Sequence, residues 1–464
     1  MESHQKRSKF TGSIGFVLAA AGSAVGLGNI WRFPYLAARD GGGVFLLCYV
    51  VLALTFGFTL LTTEIAVGRK TGQSPLTAYR ALHPKWGWIG VLACLVPIII
   101  LPYYCVIGGW VLKYLLTYLT GGGAAAVADT YFKSFISGYW SPILWFLVFL
   151  VATMAVVYRG VNHGIEKLSK VLMPVLLILI LVIAVFSLTL RHTDASGVTR
   201  TGLEGFLVYV VPNFEGMSFR TFLTILMDAM GQLFYSISVA MGIMVTYGSY
   251  VKKETNLVKS VNQIEIFDTV VAFLAGLMIV PAVYTFTGTK GMAAGPSLMF
   301  VSLPKIFDAM GGIGVAVGIA FFLMVAFAAL TSSVSVMEAI VASAMDRFHV
   351  PRRKATIAVT LVTLLAGLVV CLGYNLFYFE LHLPNDAVGQ VLDVMDYLSN
   401  YFLMPVVAIS TCLLVGWFIK PKAIIDEVAL GGVRFGREKL YVVMVKVVAP
   451  VLLLFLLLQS LGVF

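Results

Sequence analysis

Eleven runs of predominantly apolar residues follow one another along the chain, each near or above the roughly 20 residues a helix needs to cross a bilayer. They cover about 13–38, 43–68, 88–119, 141–159, 166–189, 226–250, 262–288, 314–345, 354–374, 387–418 and 439–462. Hydrophobic residues make up 60% of the 464 and charged residues 12%, whereas soluble chains carry about a quarter charged residues. No linker or low-complexity stretch divides the chain. The reading is one all-α integral membrane domain, residues 1–464, with eleven transmembrane helices and the lipid bilayer as its solvent.

The net charge of +10 needs no nucleic-acid partner, because its placement explains it. With the N-terminus in the cytoplasm, most of the 32 Lys and Arg residues fall in inner segments: Lys6, Arg7 and Lys9; Arg69, Lys70, Arg80 and Lys85; Arg159, Lys167 and Lys170; Lys252, Lys253 and Lys259; Arg347 to Lys354; Lys420 to Lys439. That is the positive-inside pattern, and eleven spans would then leave the C-terminus outside. All five cysteines lie within apolar runs and no Asn-x-Ser/Thr sequon occurs, which fits a bacterial inner (cytoplasmic) membrane. The basic, apolar and small-residue order at the start imitates a secretory signal. The residues that follow it have a better explanation.

Those residues are "AAAGSAVGLGNIWRFP", 19 to 34. Glycine costs about 1 kcal/mol relative to alanine inside a helix, and a bilayer penalises unpaired backbone. A cluster of Gly22, Gly26 and Gly28 with Asn29, Arg32 and Pro34 therefore marks backbone that lines an enclosed cavity. Gly22 and Gly26 also form a G-x-x-x-G packing pattern, which leaves Asn29 and Arg32 unexplained. A second, weaker interruption lies in the sixth run, "GQLFYSISVAMGIMVTYGSY", at Ser236, Ser238 and Gly242. Interrupted spans at corresponding positions of two successive five-span halves point to a transporter's midplane binding site.

"GSAVGLGNIWRFP" resembles the first-span signature of the neurotransmitter:sodium symporters. "EIAVGR", "YYCVIGGW", "YRGVNHGIEKLSKVLMP", "GQLFYSISVAMG", "FDTVVAFLAG" and "ALTSSVSVME" match in order along nearly the whole chain. The resemblance implies the LeuT-type five-plus-five inverted repeat, broken in helices 1 and 6. Its core would cover about 10–418, with an additional helix at about 439–462. It further implies sodium-driven uptake of an amino acid or amine, with no obligate protein partner evident.

Carried onto this sequence, the resemblance implies two sodium sites. The first would use the Ala24 carbonyl, Asn29, Ser236, Asp268 and the substrate carboxylate. The second would use the carbonyls of Gly22, Val25 and Ala328 with the hydroxyls of Thr331 and Ser332. Such a hard cation takes about five or six oxygens when dehydrated. Asp268 stands where LeuT has asparagine, and a carboxylate inside a span needs a cationic partner; the expectation is that it removes any chloride requirement. The amides of Leu27 and Gly28 and the Tyr104 hydroxyl would hold the substrate carboxylate, with Ala24, Tyr235, Ser236 and Ser238 on its ammonium. Gly26, aspartate in amine-transporting relatives, favours an α-amino acid. Ser23, Ile100, Tyr235, Met241, Ser332 and Val336 would shape a mostly apolar side-chain pocket, with Ala240 in place of the family's usual glycine. The expected substrate is a neutral, hydrophobic L-amino acid.

The same resemblance assigns an outer gate of Arg32 and Asp396 beside Tyr235 and Gln232, and an inner gate of Arg7 and Asp346 supported by Tyr250. Gly164 and Pro174 match an arrangement that unwinds span five in relatives; the residues alone equally allow a simple proline kink. Glu64 and Glu166 read as structural carboxylates. An intramembrane enzyme would need a base or metal cluster at membrane depth, yet all six histidines fall in expected loops or tails. A sodium-binding sensor or channel on the same fold, and proton coupling through Asp268 or Glu64, stay open at this level.

Overall fold

The computed structural model describes residues 9–463 apart from 195, 289–291, 293–294 and 385–387. Arg7 lies outside the described residues. Among the described residues, nine helices are long and apolar enough to cross a membrane. A tenth crossing is the pair α1 (Ser13–Ala24) and α2 (Leu27–Arg39), bent by 56° at its break. The unbroken nine include α3 (Gly43–Thr71), α4 (Pro84–Leu119), α5 (Trp140–Tyr158) and α6 (Val161–Leu188). The run expected at 226–250 is divided into α7 (Phe219–Ser236) and α8 (Ile243–Ser249), so it does not stand as one apolar helix. The set closes with α9 (Leu257–Thr287), α10 (Gly312–Phe348), α11 (Arg352–Leu372), α12 (Val391–Phe418) and α13 (Glu438–Ser460). The expectation of a helical membrane protein with its first and sixth spans broken holds, apart from two short antiparallel strand pairs (Arg191–Thr193 with Thr199–Thr201, Leu381–His382 with Val388–Gly389), although counting by length and apolarity gives ten crossings rather than eleven.

Most of these helices are apolar on all sides, as lipid-embedded packing requires. Their contacts sort them into two groups. The C-terminal half of α3 packs on α8, α9 packs on α1, α2 and α6, and α7 packs on α3. Separately, α4 packs on α5, α10 and α11, and α5 packs on α10 and α11. The broken helix α1 meets α10, so the two groups join where the backbone is interrupted. The last helix, α13, lies against α12.

Each break has a backbone cause. Val25 (φ −75°, ψ 95°) and Gly26 (φ −128°, ψ −167°) are extended and separate α1 from α2. In the sixth span, residues 237–242 carry left-handed φ values at Ser238 (54°), Ala240 (61°) and Gly242 (73°). Two of these are not glycine, a strained state that persists only where the surroundings impose it. Part of that imposition is Glu64 on α3, whose Oε1 accepts the Ala240 N–H at 2.6 Å. At Gly242 a side chain would also meet Pro75 Cγ at 2.6 Å and the Ala93 carbonyl at 3.0 Å. Span five is helical through both Gly164 and Pro174. A π-helical turn over Val161–Glu166 leads into an α-helix over Lys167–Leu188, so it is loosened there rather than unwound.

Candidate functional site

The last carbonyls of a helix have no partner within it, and at the end of α1 they turn toward α10. The Ser332 hydroxyl lies 3.3 Å from the Gly22 carbonyl, 3.1 Å from that of Ser23 and 3.2 Å from that of Val25. It carries a single proton for three acceptors. One residue earlier on α10, the Thr331 hydroxyl donates to Phe327 and Ala328 carbonyls at 3.0 and 3.1 Å. All five residues expected at the second sodium site are thus in contact, Gly22 and Val25 through Ser332 and Ala328 through Thr331. The chemistry of this cluster is neutral oxygen with a deficit of protons.

A second cluster forms around Asp268 on α9, fully buried. Its Oδ1 accepts from Ser236 Oγ at 2.7 Å and from Asn29 Nδ2 at 3.0 Å. Its Oδ2 accepts from the Tyr49 hydroxyl at 3.3 Å. Asn29 Nδ2 is also 2.9 Å from Ser236 Oγ, and Asn29 Oδ1 accepts the Gly26 N–H at 3.2 Å. Asn29, Ser236 and Asp268 therefore converge from three helices, with Ala24 buried at the end of α1. Tyr49 is a member that the sequence did not single out.

Between the clusters lies the N-terminus of α2, whose first amide faces Tyr104 on α4. The Leu27 N–H donates to the Tyr104 hydroxyl at 3.4 Å. A β-carbon at Gly26 would stand 3.1 Å from both Tyr104 OH and Ser332 Oγ, so glycine keeps this space open. Gln232 Nε2 donates to the Gly28 carbonyl at 3.2 Å. Ser23 Oγ donates to Ser238 Oγ at 3.1 Å, and Ser238 Oγ to the Ser23 carbonyl at 3.0 Å, which ties the two breaks together. Ile100 on α4, Met241 in the second break and Val336 on α10 are buried, while Tyr235 is half-buried on α7.

The chain matches the sodium:neurotransmitter symporter family over residues 7–131 and 139–464. It belongs to that family. Among its relatives, this family member is 36% identical to the sodium-dependent transporter YhdH of Bacillus subtilis, covering 90% of this chain and 89% of that one. It is 30% identical to a sodium-dependent transporter of Methanocaldococcus jannaschii over 97% and 90% of the two chains. The crystal structure of MhsT in complex with L-phenylalanine superposes with a TM-score of 0.83 at 32% identity, covering 98% of this chain and all of that one. The LeuT-type fold, membership of a sodium-coupled transporter family rather than of an enzyme family, and a multi-pass membrane location follow.

At the outer gate the residues are arranged differently from the expected pair, whereas the inner pair includes Arg7, outside the described residues. Arg32 forms no ion pair with Asp396 in this structure. Its guanidinium lies over the rings of Tyr235 and Tyr401, 4.6 and 5.7 Å from their centroids. Asp396 instead accepts from Tyr103 OH at 3.0 Å and from Asn400 Nδ2 at 2.6 Å. On the other side of the molecule, Asp346 accepts the Ser74 N–H at 2.7 Å. The Tyr250 hydroxyl donates to Glu338 at 2.6 Å, and Glu338 also holds Arg352 through two bonds of 2.6 and 2.8 Å. Glu166 pairs with Lys170 at 2.7 Å and accepts the Thr11 N–H at 3.0 Å. Among the described residues Glu64 has no cationic partner; its Oε1 accepts the Ala240 N–H of the broken backbone of span six. Tyr103, Asn400, Tyr401, Glu338 and Arg352 were not singled out from the sequence. The available signal was the density of polar groups at 396, 397, 400 and 401 inside an apolar run.

Proposed function

We propose that this protein is a sodium-coupled symporter that takes up a neutral, hydrophobic L-amino acid by alternating access. The observation that carries this reading is the junction of the two breaks. The carbonyl end of α1 and the amide end of α2 face one small space, bounded by Ser332, Tyr104 and Gly26. Carbonyl ends favour a cation and amide ends favour a carboxylate, so a sodium ion and a zwitterion fit side by side. Gly26 leaves room for the substrate's own carboxylate, and Ile100, Met241 and Val336 supply an apolar wall for its side chain. The solved relative bound to L-phenylalanine supports this substrate class.

Two sodium ions suit the two oxygen clusters. Ala24, Asn29, Ser236 and Asp268 would take one, together with the substrate carboxylate. Gly22, Val25, Ala328, Thr331 and Ser332 would take the other. Asp268 brings a negative charge to the first, so a bound chloride has no role. The helices grouped around α1–α2, α3, α7–α8 and α9 would tilt against α4, α5, α10 and α11, with both clusters on the dividing surface. Arg32, Gln232 and Tyr235 would close the outer path; Arg7, Asp346 and Tyr250 would close the inner one. The whole chain acts as one transporter unit with a cytoplasmic N-terminus and an external C-terminus.

The test is uptake of labelled amino acids into proteoliposomes under an inward sodium gradient, with potassium replacing sodium as the control. Accumulation above equilibrium that collapses with the gradient is the expected result. Saturable sodium-dependent binding without accumulation would replace the symporter reading with that of a sensor.

A further inference from the structure

The outer face of the site holds an arrangement that an arginine–carboxylate gate does not require. The Arg32 guanidinium lies over two tyrosine rings, Tyr235 and Tyr401, whose centroids are 5.4 Å apart at 55°. Tyr401 is not free to rotate at will. It stacks on Tyr397 with centroids 5.9 Å apart and planes within 12°. Both residues sit in a π-helical segment of α12, Tyr397–Leu403, a widened turn of the kind found at functional sites. The last helix clamps that segment at two points: Ser460 Oγ donates to the Tyr401 carbonyl at 2.7 Å, and Tyr397 OH donates to the Ser460 carbonyl at 2.8 Å. The same helix reaches α7, since a β-carbon at Gly231 would stand 3.4 Å from Leu456 Cδ1 and 3.8 Å from Arg32 Nη2. Meanwhile the carboxylate of Asp396 is committed to Tyr103 and Asn400.

We propose that Tyr401 is a third member of the outer gate, seated by Ser460 of the last helix, and that closure over the site rests on the two aromatic faces around Arg32. Asp396 then acts as a positioning residue: held by Tyr103 and Asn400, it sets the turn of α12 that presents Tyr401. This proposal deepens the transport reading and rests on it only for what the gate encloses. A guanidinium keeps its charge and sheds water readily, so an aromatic seat suits a lid that must shut repeatedly in a low-dielectric vestibule. Cation–π contacts of this kind strengthen as they are desolvated, which fits a contact made on closing.

The experiment uses the full chain in proteoliposomes with Ile100→Cys as a reporter below the gate; the five native cysteines are all buried. Labelling by a membrane-impermeant thiol reagent from outside, in sodium, reads closure without needing a known substrate. Release and binding of labelled L-phenylalanine are measured in parallel in the same gate variants with Ile100 intact, because Ile100 lines the proposed pocket. Tyr401→Leu is expected to raise labelling and release about tenfold, the scale of a desolvated cation–π contact. Tyr401→Phe keeps the ring and is expected to restore both, while Ser460→Ala gives a smaller rise in the same direction. Unchanged labelling in Tyr401→Leu would overturn the proposal. So would Tyr401→Phe behaving like Tyr401→Leu, or Asp396→Asn opening the gate more than Tyr401→Leu does. Raised labelling in a protein that binds no amino acid would keep the gate and remove the symporter reading.

Discussion

The two oxygen clusters lie on either side of the same helix break and are built on opposite principles. Around Asp268, a formal charge is matched by three donors from Ser236, Asn29 and Tyr49. Around Ser332, no charge is present, and one hydroxyl proton serves three backbone carbonyls. The first has hydrogen-bond partners for its carboxylate without an ion; the second has more acceptors than protons. A charged, well-bonded group resists rearrangement, whereas a proton-poor ring of carbonyls gains most from a cation that can leave. If the two clusters hold the two proposed sodium ions, the first would couple to the substrate and the second would release its ion the more readily.

The largest effect should come from deleting the charge. Asp268→Asn keeps the shape but removes the charge and turns one of the two carboxylate oxygens into a donor. The expected loss is about a hundredfold in apparent sodium affinity, the scale of a charged hydrogen-bonded group. Uptake against sodium concentration measures it. In the unmodified protein, replacing chloride with gluconate should leave uptake unchanged; a collapse on that replacement would mean the carboxylate does not substitute for an anion.

The difference between the clusters also shows what the residues disclosed in advance. The break in span one was legible because three glycines with Asn29 and Arg32 have no other use in an apolar run. The break in span six was legible as a weaker interruption at Ser236, Ser238 and Gly242, although its backbone conformation was not. Ser238 and Ala240 adopt left-handed backbone that no local preference announces; the Glu64 contact that braces Ala240 comes from 176 residues away. Asp268 stood out because a carboxylate in a span is costly, and the motif carried its partners Asn29 and Ser236. Tyr49 did not stand out, since a tyrosine in an apolar helix reads as packing. The gates were the least legible part. Arg32 and Asp396 lie near one another, but whether they pair depends on Tyr103, Asn400 and Tyr401, whose positions follow from a widened helical turn rather than from spacing.

Ser332→Ala tests the neutral cluster. It removes one oxygen and the proton shared by the α1 carbonyls, so a loss of about tenfold in sodium affinity is expected, less than for Asp268→Asn. The sodium dependence should also become less steep, because one of two ions no longer contributes in the measured range. A loss equal to that of Asp268→Asn, with unchanged steepness, would collapse the two clusters into one site. Gly26→Ala probes the space between them. Its methyl group would crowd Tyr104 and Ser332, each at 3.1 Å, and side chains can shift by that little. A severalfold weaker affinity for the amino acid with little change in sodium dependence is the expected split, read from paired titrations of each ligand.

The smallest effect belongs to Glu64, and it decides whether a third charged group joins the comparison. Its Oε1 accepts the Ala240 N–H while Oε2 has no hydrogen-bond partner among the described residues. A glutamine offers the same acceptor at the same place, so Glu64→Gln should leave uptake and its pH profile across neutrality close to the unmodified protein. Glu64→Ala removes the acceptor and leaves a buried N–H unpaired in a strained turn, a cost of about 1–3 kcal/mol in stability, visible as earlier thermal unfolding. If Glu64→Gln instead flattened the pH profile while the protein stayed as stable as before, the carboxyl proton would be part of the transport cycle. Coupling would then involve three groups, and the division of labour between a charged and a neutral cluster would no longer describe it.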